Sequence, residues 1–195
     1  MKREATVERK TKETSVSVTL DLDGQGEGSS KTGIPFLDHM LDQTRIHGCL
    51  DITVTAQGDR PVDDHHTVED VGIVLGQALS EALGDRKGIR RYGNALAPMD
   101  EALAQVALDL GGRSHVSFDY AFPQEKTGQF DLALVPEFCR ALSQSGRLTL
   151  HVRILSGSNG HHIAEALFKG LALALRMAVE PDPRRQDVPS SKGII

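Results

Sequence analysis

Residues 64–70 read DHHTVED and residues 159–166 read NGHHIAEA. Each stretch holds His-His-x-x-Glu at the head of a segment with helical apolar spacing. The first supplies His65, His66 and Glu69; the second supplies His161, His162 and Glu165. Four of the eight histidines thus fall in two matching cassettes about a hundred residues apart. Recurrence of this kind points to a duplicated unit.

The flanks repeat in the same order. Before the first cassette, Val16, Val18, Leu20 and Leu22 alternate along Thr14–Leu22, and Leu50, Ile52 and Val54 alternate again, the period of a half-buried strand. Between them Pro35–His47 reads as a short helix with proline in its first turn. After the cassette, Val68, Val71, Val74, Leu75, Ala78 and Leu79 predict a helix over Thr67–Leu83. In the second half Ala104–Leu110 and Val116–Tyr120 alternate, a short helix covers Val135–Ser143, and Leu148, Leu150, Val152 and Ile154 form a strand. The helix Ile163–Val179 closes the unit. Lys31-Thr32-Gly33 matches Lys126-Thr127-Gly128, and Glu4-Ala5 matches Glu101-Ala102. The expected fold class is α+β: an internal duplication of a β-β-α-β-α unit, with sheets on one side and helices on the other. The chain is expected to be a single domain, with repeats at about 1–93 and 94–180. Gly84–Pro98 reads as the linker, and the proline-rich tail 181–195 as a segment lying over the surface.

Composition narrows the function. The chain has 195 residues, 25% of them charged, and a formal net charge of -5. It therefore has no broad basic surface for nucleic acid. Cys49 and Cys139 form no CxxC pair, which argues against a disulfide framework or thiolate zinc site and fits a reducing cytoplasm. The charged start is unlike a secretory signal. The most apolar stretch, Ala164–Val179, is broken by Lys169 and Arg176, so no membrane span is expected.

The cassettes suit a dinuclear metal site. Residues three and four apart share a helix face, so Glu69 reaches the region of His65 and His66. Adjacent histidines point about 100° apart, so a single ion does not readily take both. Two cassettes would offer four imidazoles and two carboxylates about a pseudo-two-fold axis. The order is not the HExxH of a mononuclear metallohydrolase. Further ligands are expected from the equivalent short helices, His39 from PFLDHML and Glu137 from LVPEFCRAL. His151 lies on the polar face of its strand, His47 ends a helix or lines the site, and His115 looks ordinary. Nitrogen and oxygen ligands without thiolate allow manganese, iron, zinc, cobalt or nickel.

Taken together, TKETSV, GIPFLDHMLDQ, DDHHTVEDVGIVLGQAL, GIRRYG, PMDEAL, LDLGGRS, HHIAEALFKGLALALR and VPSSKG closely resemble the imidazoleglycerol-phosphate dehydratase family, in order and over nearly the whole chain. The resemblance implies a fold similar to ribosomal protein S5 domain 2, two manganese ions per active site, a 24-subunit shell and the hydro-lyase step of histidine biosynthesis. In that step D-erythro-imidazole-glycerol phosphate loses water to give imidazole-acetol phosphate. Carried over by motif, one ion would take His39, His66, Glu69 and His162, and the other His65, Glu137, His161 and Glu165. Glu137 stands where many members of the family carry histidine. The family's fused phosphatase domain, present in some bacteria, is not expected in a chain of this length.

The resemblance also assigns the substrate end. Glu13 is the candidate acid–base, with metal-bound water as an alternative proton carrier. Arg91, Arg113, Ser190, Ser191 and Lys192 would hold the phosphate, while Gln43 and His47 would line the pocket. Arginine offers forked contacts to phosphate oxygens and lysine a point charge. Some of these groups are expected from a neighbouring subunit of the homo-oligomer. Asp100 and Glu101 either support the ligands or simply begin a strand, and the second reading is preferred. Two rival functions are a dinuclear metallohydrolase and a non-enzymatic metal-binding shell protein.

Overall fold

The inward-facing valines and leucines of Thr14–Leu22 fix the first sheet. The computed structural model describes residues 2–59 and 61–195. Its elements run β1 (Glu4–Lys10), β2 (Thr14–Asp21), β3 (Gly28–Lys31), α1 (Pro35–Gly48), β4 (Asp51–Gly58) and α2 (His65–Leu83). The second half continues with β5 (Tyr92–Met99), β6 (Ala102–Asp109), β7 (His115–Phe118), β8 (Lys126–Thr127), β9 (Phe130–Asp131), α3 (Leu134–Gly146), β10 (Thr149–Ser156) and α4 (Gly160–Val179). One sheet has the order β1-β2-β4-β3 and the other β5-β6-β10-β7. The last strand of each is parallel to its neighbour: β3 to β4, and β7 to β10. Two sheets with one strand order make the duplication visible in the backbone.

In each half three strands of the four-stranded sheet, rather than two, precede the first helix. β5 lies inside the segment read as a linker. Its inward residues are Gly93, Ala95 and Ala97, too small to register as apolar alternation. Their smallness has a use, because a methyl at Gly93 would collide with the backbone carbonyl of Ala174 in α4. β1 is an edge strand of alternating exposed and half-buried residues, EATVERK, and its charges hide its period. The two local identities fall on strands that are not equivalent. Glu4-Ala5 opens β1 whereas Glu101-Ala102 leads into β6, the counterpart of β2. Lys126-Thr127 belongs to the β8–β9 hairpin, which the first half lacks.

The four helices lie between the sheets. α2 packs on β1 and β2 and against α3, while α4 packs on β5 and β6 and against α1. Helices of one half therefore meet helices of the other. Val16, Val18, Leu20, Ile52 and Val54 are buried under α2, and Ala104, Val106, Leu150 and Val152 are buried in the second half. Each fully buried valine or leucine contributes roughly 1.5–3 kcal/mol. Phe138 of α3 and Phe168 of α4, ring centroids 5.3 Å apart, join the helix layers. The tail is pinned by Asp182 N–H to the Gly88 carbonyl at 2.8 Å and Gly88 N–H to the Asp187 carbonyl at 3.1 Å. No described helix is long and apolar enough to cross a membrane.

Candidate metal centre and anion pocket

The cassettes open α2 and α4, where free backbone N–H groups need partners. At α4 the Asn159 side chain accepts the N–H of His161 at 2.9 Å, capping the helix two residues ahead of its first histidine. At α1 the Asp38 carboxylate accepts from the Thr32 N–H at 2.8 Å and the Thr32 hydroxyl at 2.7 Å. That fixes how the chain enters the helix, one residue before His39. Because α1 packs on α4, His39 comes to the second cassette. Its Nε2 lies 3.3 Å from Glu165 Oε2, and His161 Nε2 lies 3.2 Å from the same oxygen.

These three ligand atoms all fall within 4.8 Å of one another. Two imidazoles and a carboxylate converging on one point fit a borderline or hard divalent cation, manganese among them. Glu165 is buried, which by itself raises its pKa, but hydrogen bonds from Lys169 and His39 outweigh burial and hold it below the usual carboxylate range. Lys169 Nζ sits 2.7 Å from the other carboxylate oxygen.

Gln43 and His47 continue along the same face of α1. Gln43 Nε2 is 3.5 Å from His39 Nδ1, and its Oε1 is 3.2 Å from His47 Nε2. Burial and the nearby Lys169 charge lower the His47 pKa. Both favour the neutral form of the His47 ring.

The second histidine of each cassette is met by carboxylates instead. His66 Nδ1 lies 3.1 Å from Asp59 Oδ2 and 3.9 Å from Glu13 Oε2. His162 Nδ1 lies 2.7 Å from Glu101 Oε2. The hydrogen bond to Asp59 raises the His66 pKa, and that to Glu101 raises His162. Glu101 is in turn pulled down to about 2, chiefly by His162. Glu101 thus does more than begin a strand.

His65 and Glu137 line a cleft of about 650 Å³. It adjoins a second, of about 590 Å³, lined by His39 and His161; Asp64 and Gln129 belong to both. Glu137 is paired with Arg140, and Glu69 is exposed. Within one chain, then, His39 stands with His161 and Glu165, whereas the resemblance pairs it with His66, Glu69 and His162.

All five phosphate candidates share one pocket. Arg91, Arg113, Ser190, Ser191 and Lys192 line a cleft of about 460 Å³. Arg147, which the sequence did not single out, lines it too. The Arg91 fork is already committed to Asp109, at 2.6 and 2.9 Å, and its remaining amine donates to the Pro189 carbonyl at 2.6 Å. Glu137 and Arg147 mark opposite ends of α3, separated by about 15 Å of helix rise. The His65–Glu137 cleft and the pocket around Arg113 therefore sit towards opposite ends of α3.

Comparison with known proteins decides what these two ends belong to. The family model described as imidazoleglycerol-phosphate dehydratase matches residues 32–175. The chain belongs to the imidazoleglycerol-phosphate dehydratase family. It is 57% identical over 194 residues to the imidazoleglycerol-phosphate dehydratase of Thermosynechococcus vestitus, covering 99% of this chain and 92% of that one. To the Moorella thermoacetica enzyme of the same name it is 54% identical over the full length of both. Among solved structures, the dehydratase of Staphylococcus aureus superposes with a TM-score of 0.83 at 40% identity, covering 92% of this chain and 99% of that one. The Pyrococcus furiosus dehydratase, solved in complex with (S)-C348, gives 0.85 at 38% identity, covering 97% and 100%. The activity is that of the family: a hydro-lyase step of histidine biosynthesis acting on imidazole-glycerol phosphate. Membership sets aside the metallohydrolase and storage-shell readings.

Sequence reasoning missed Asp59, Arg147 and Lys169. Asp59 meets His66 from just beyond β4, a contact that the cassette's spacing does not encode. Lys169 lies one turn after Glu165 on α4, an i,i+4 pair that helical spacing does offer, but in sequence it read only as a charge breaking an apolar stretch. Arg147 is an exposed residue after a helix, indistinguishable in sequence from any solvated arginine.

Proposed function

We propose that this dehydratase works in the cytoplasm as a two-manganese enzyme whose sites are completed between subunits of a homo-oligomeric shell. The observation that carries the metal reading is the convergence of His39, His161 and Glu165. His65, Glu137 and Glu69, with His66 and His162, are the remaining proposed ligands. Their imidazole and carboxylate donors match that cluster in kind. Bound manganese would supply positive charge at the substrate's ring nitrogens, favouring the electron-rich ring that this elimination needs.

The chain's own groups do the rest. Glu13, held on the β1–β2 turn by Thr11, whose hydroxyl accepts the Glu13 N–H at 3.0 Å, stands beside the first cassette. It would carry the proton between carbon and departing hydroxyl. Gln43 and His47 extend the polar wall of α1 away from the ligands. At the far end, Arg113, Lys192, Ser190 and Ser191 would hold the phosphate. Arg91, locked to Asp109 and Pro189, would stiffen that pocket as much as charge it. An imidazole carrying a short phosphorylated chain is too small to bridge both ends of α3. Ligands from one subunit and phosphate contacts from its neighbour would therefore meet around one substrate.

The test is direct. Metal-stripped protein should lose turnover of imidazole-glycerol phosphate and regain it with manganese, binding two ions per chain. Full activity in a stripped sample with no bound metal would sink the reading.

A further inference from the structure

The internal duplication sets two carboxylates at one structural position. Glu13 immediately precedes β2 and Glu101 immediately precedes β6, each on the turn joining the first two strands of its sheet. Each faces the second histidine of its own half. They are not held alike. Glu13 stands 3.9 Å from His66, whereas Glu101 reaches His162 Nδ1 at 2.7 Å.

Glu101 is also anchored from behind. Its Oε1 accepts the backbone N–H of Ser158 at 3.1 Å and of Asn159 at 2.9 Å, and its carbonyl accepts the Ser156 hydroxyl at 3.0 Å. That leaves Oε2 for His162. An ionised carboxylate only accepts hydrogen bonds, so the ring proton must reside on Nδ1. In the neutral ring Nε2 then carries the lone pair. The Asp100 carboxylate lies 3.7 Å from Nε2, beyond hydrogen-bond distance, and leaves that nitrogen open.

We propose that Glu101 is a positioning residue: it fixes the Nδ1–H tautomer of His162 and presents Nε2 as the metal-binding atom. The proposal rests on the metal reading above and adds the group that aims one of its ligands. An outer carboxylate orienting a metal-bound histidine is a general device. In the first half Asp59 does this for His66, at 3.1 Å. Glu13 is thereby left uncommitted. Two equivalent carboxylates have diverged, one into an anchor and the other into a candidate proton carrier.

The Glu101→Gln variant separates aiming from loop support. Its amide oxygen can still accept from Ser158 and Asn159, while its NH₂ group would face His162 Nδ1. That nitrogen would then have to accept, which moves the ring proton to Nε2 and blocks it. Solid-state NMR of ring-¹⁵N-labelled, metal-free full chain reads the tautomer, with the His162 signal identified by its loss in His162→Asn. Manganese binding is followed in parallel through the EPR signal of the free ion. The expected result is Nδ1–H in the wild type, Nε2–H in Glu101→Gln, and manganese bound about 10–100-fold more weakly by the variant. An unchanged tautomer, or a switched tautomer with unchanged manganese affinity, overturns the proposal. A wild type that binds no manganese overturns the metal reading itself, which is a different outcome from a wild type and variant that bind equally.

Discussion

At the scale of single residues, the two clamped histidines tie metal loading to pH. A metal takes only the unprotonated ring, and the carboxylates beside His66 and His162 hold both above the ordinary imidazole value, which is about 6.5. Protons should therefore displace manganese at a higher pH than ordinary histidines would allow. Manganese occupancy should fall as pH drops through the raised values. The metal-free protein should show the opposite trend. A pKa raised by folding stabilises the fold below the unfolded value, and that contribution fades as pH rises through the folded one. The partner Glu101, lowered to about 2, holds its full share above the ordinary carboxylate range and loses it progressively as pH falls from there to about 2. Melting curves with and without manganese, from about pH 5 to about pH 8, should thus diverge as pH rises. Parallel curves would count against the pairs. Glu165→Gln should be harsher than either clamp. It removes the negative charge on which both His39 and His161 converge and leaves a single neutral oxygen, so calorimetry should find manganese binding weakened by more than the about 10–100-fold loss typical of outer-shell changes.

At the scale of elements, α2 brings its backbone close to that of α3 at Gly76. A methyl on Gly76 would lie 2.7 Å from the Gly146 nitrogen and from the Leu142 carbonyl oxygen. Alanine favours a helix over glycine by about 1 kcal/mol, but overpacking against backbone that cannot rotate away costs about 1–3 kcal/mol. The collision should win, so Gly76→Ala is expected to lower the melting temperature of the metal-free protein. A rise would show that the helices slide apart freely. What could be read from sequence follows the same logic of side-chain size. Large alternating residues announced β2, β4, β6 and β10, and large residues at helical spacing announced α2 and α4. Gly93, Ala95 and Ala97 left β5 silent because they face a helix backbone lying close above them. The cassettes were legible because both sets of ligands are local in sequence. Their clamps were not. Glu101 reaches His162 across 61 positions, a contact set by where two turns end rather than by any repeat.

At the scale of the whole molecule, helix layers between outer sheets leave both the ligand clefts and the anion pocket open at the ends of the fold. Shared sites would then bind subunits to one another through manganese. Chelation is expected to leave smaller oligomers, and light scattering would show the drop in size; an unchanged radius after metal removal argues against shared ligation. The separation along α3 has a consequence for mixtures as well. A chain disabled at its cassettes, such as Glu165→Gln, keeps an intact anion pocket. A chain disabled at the pocket, such as Arg113→Ala combined with Lys192→Ala, keeps intact cassettes. Each alone would be inactive. Assembled together, they would rebuild some sites from one sound end of each partner, and two dead proteins would yield a partly living one.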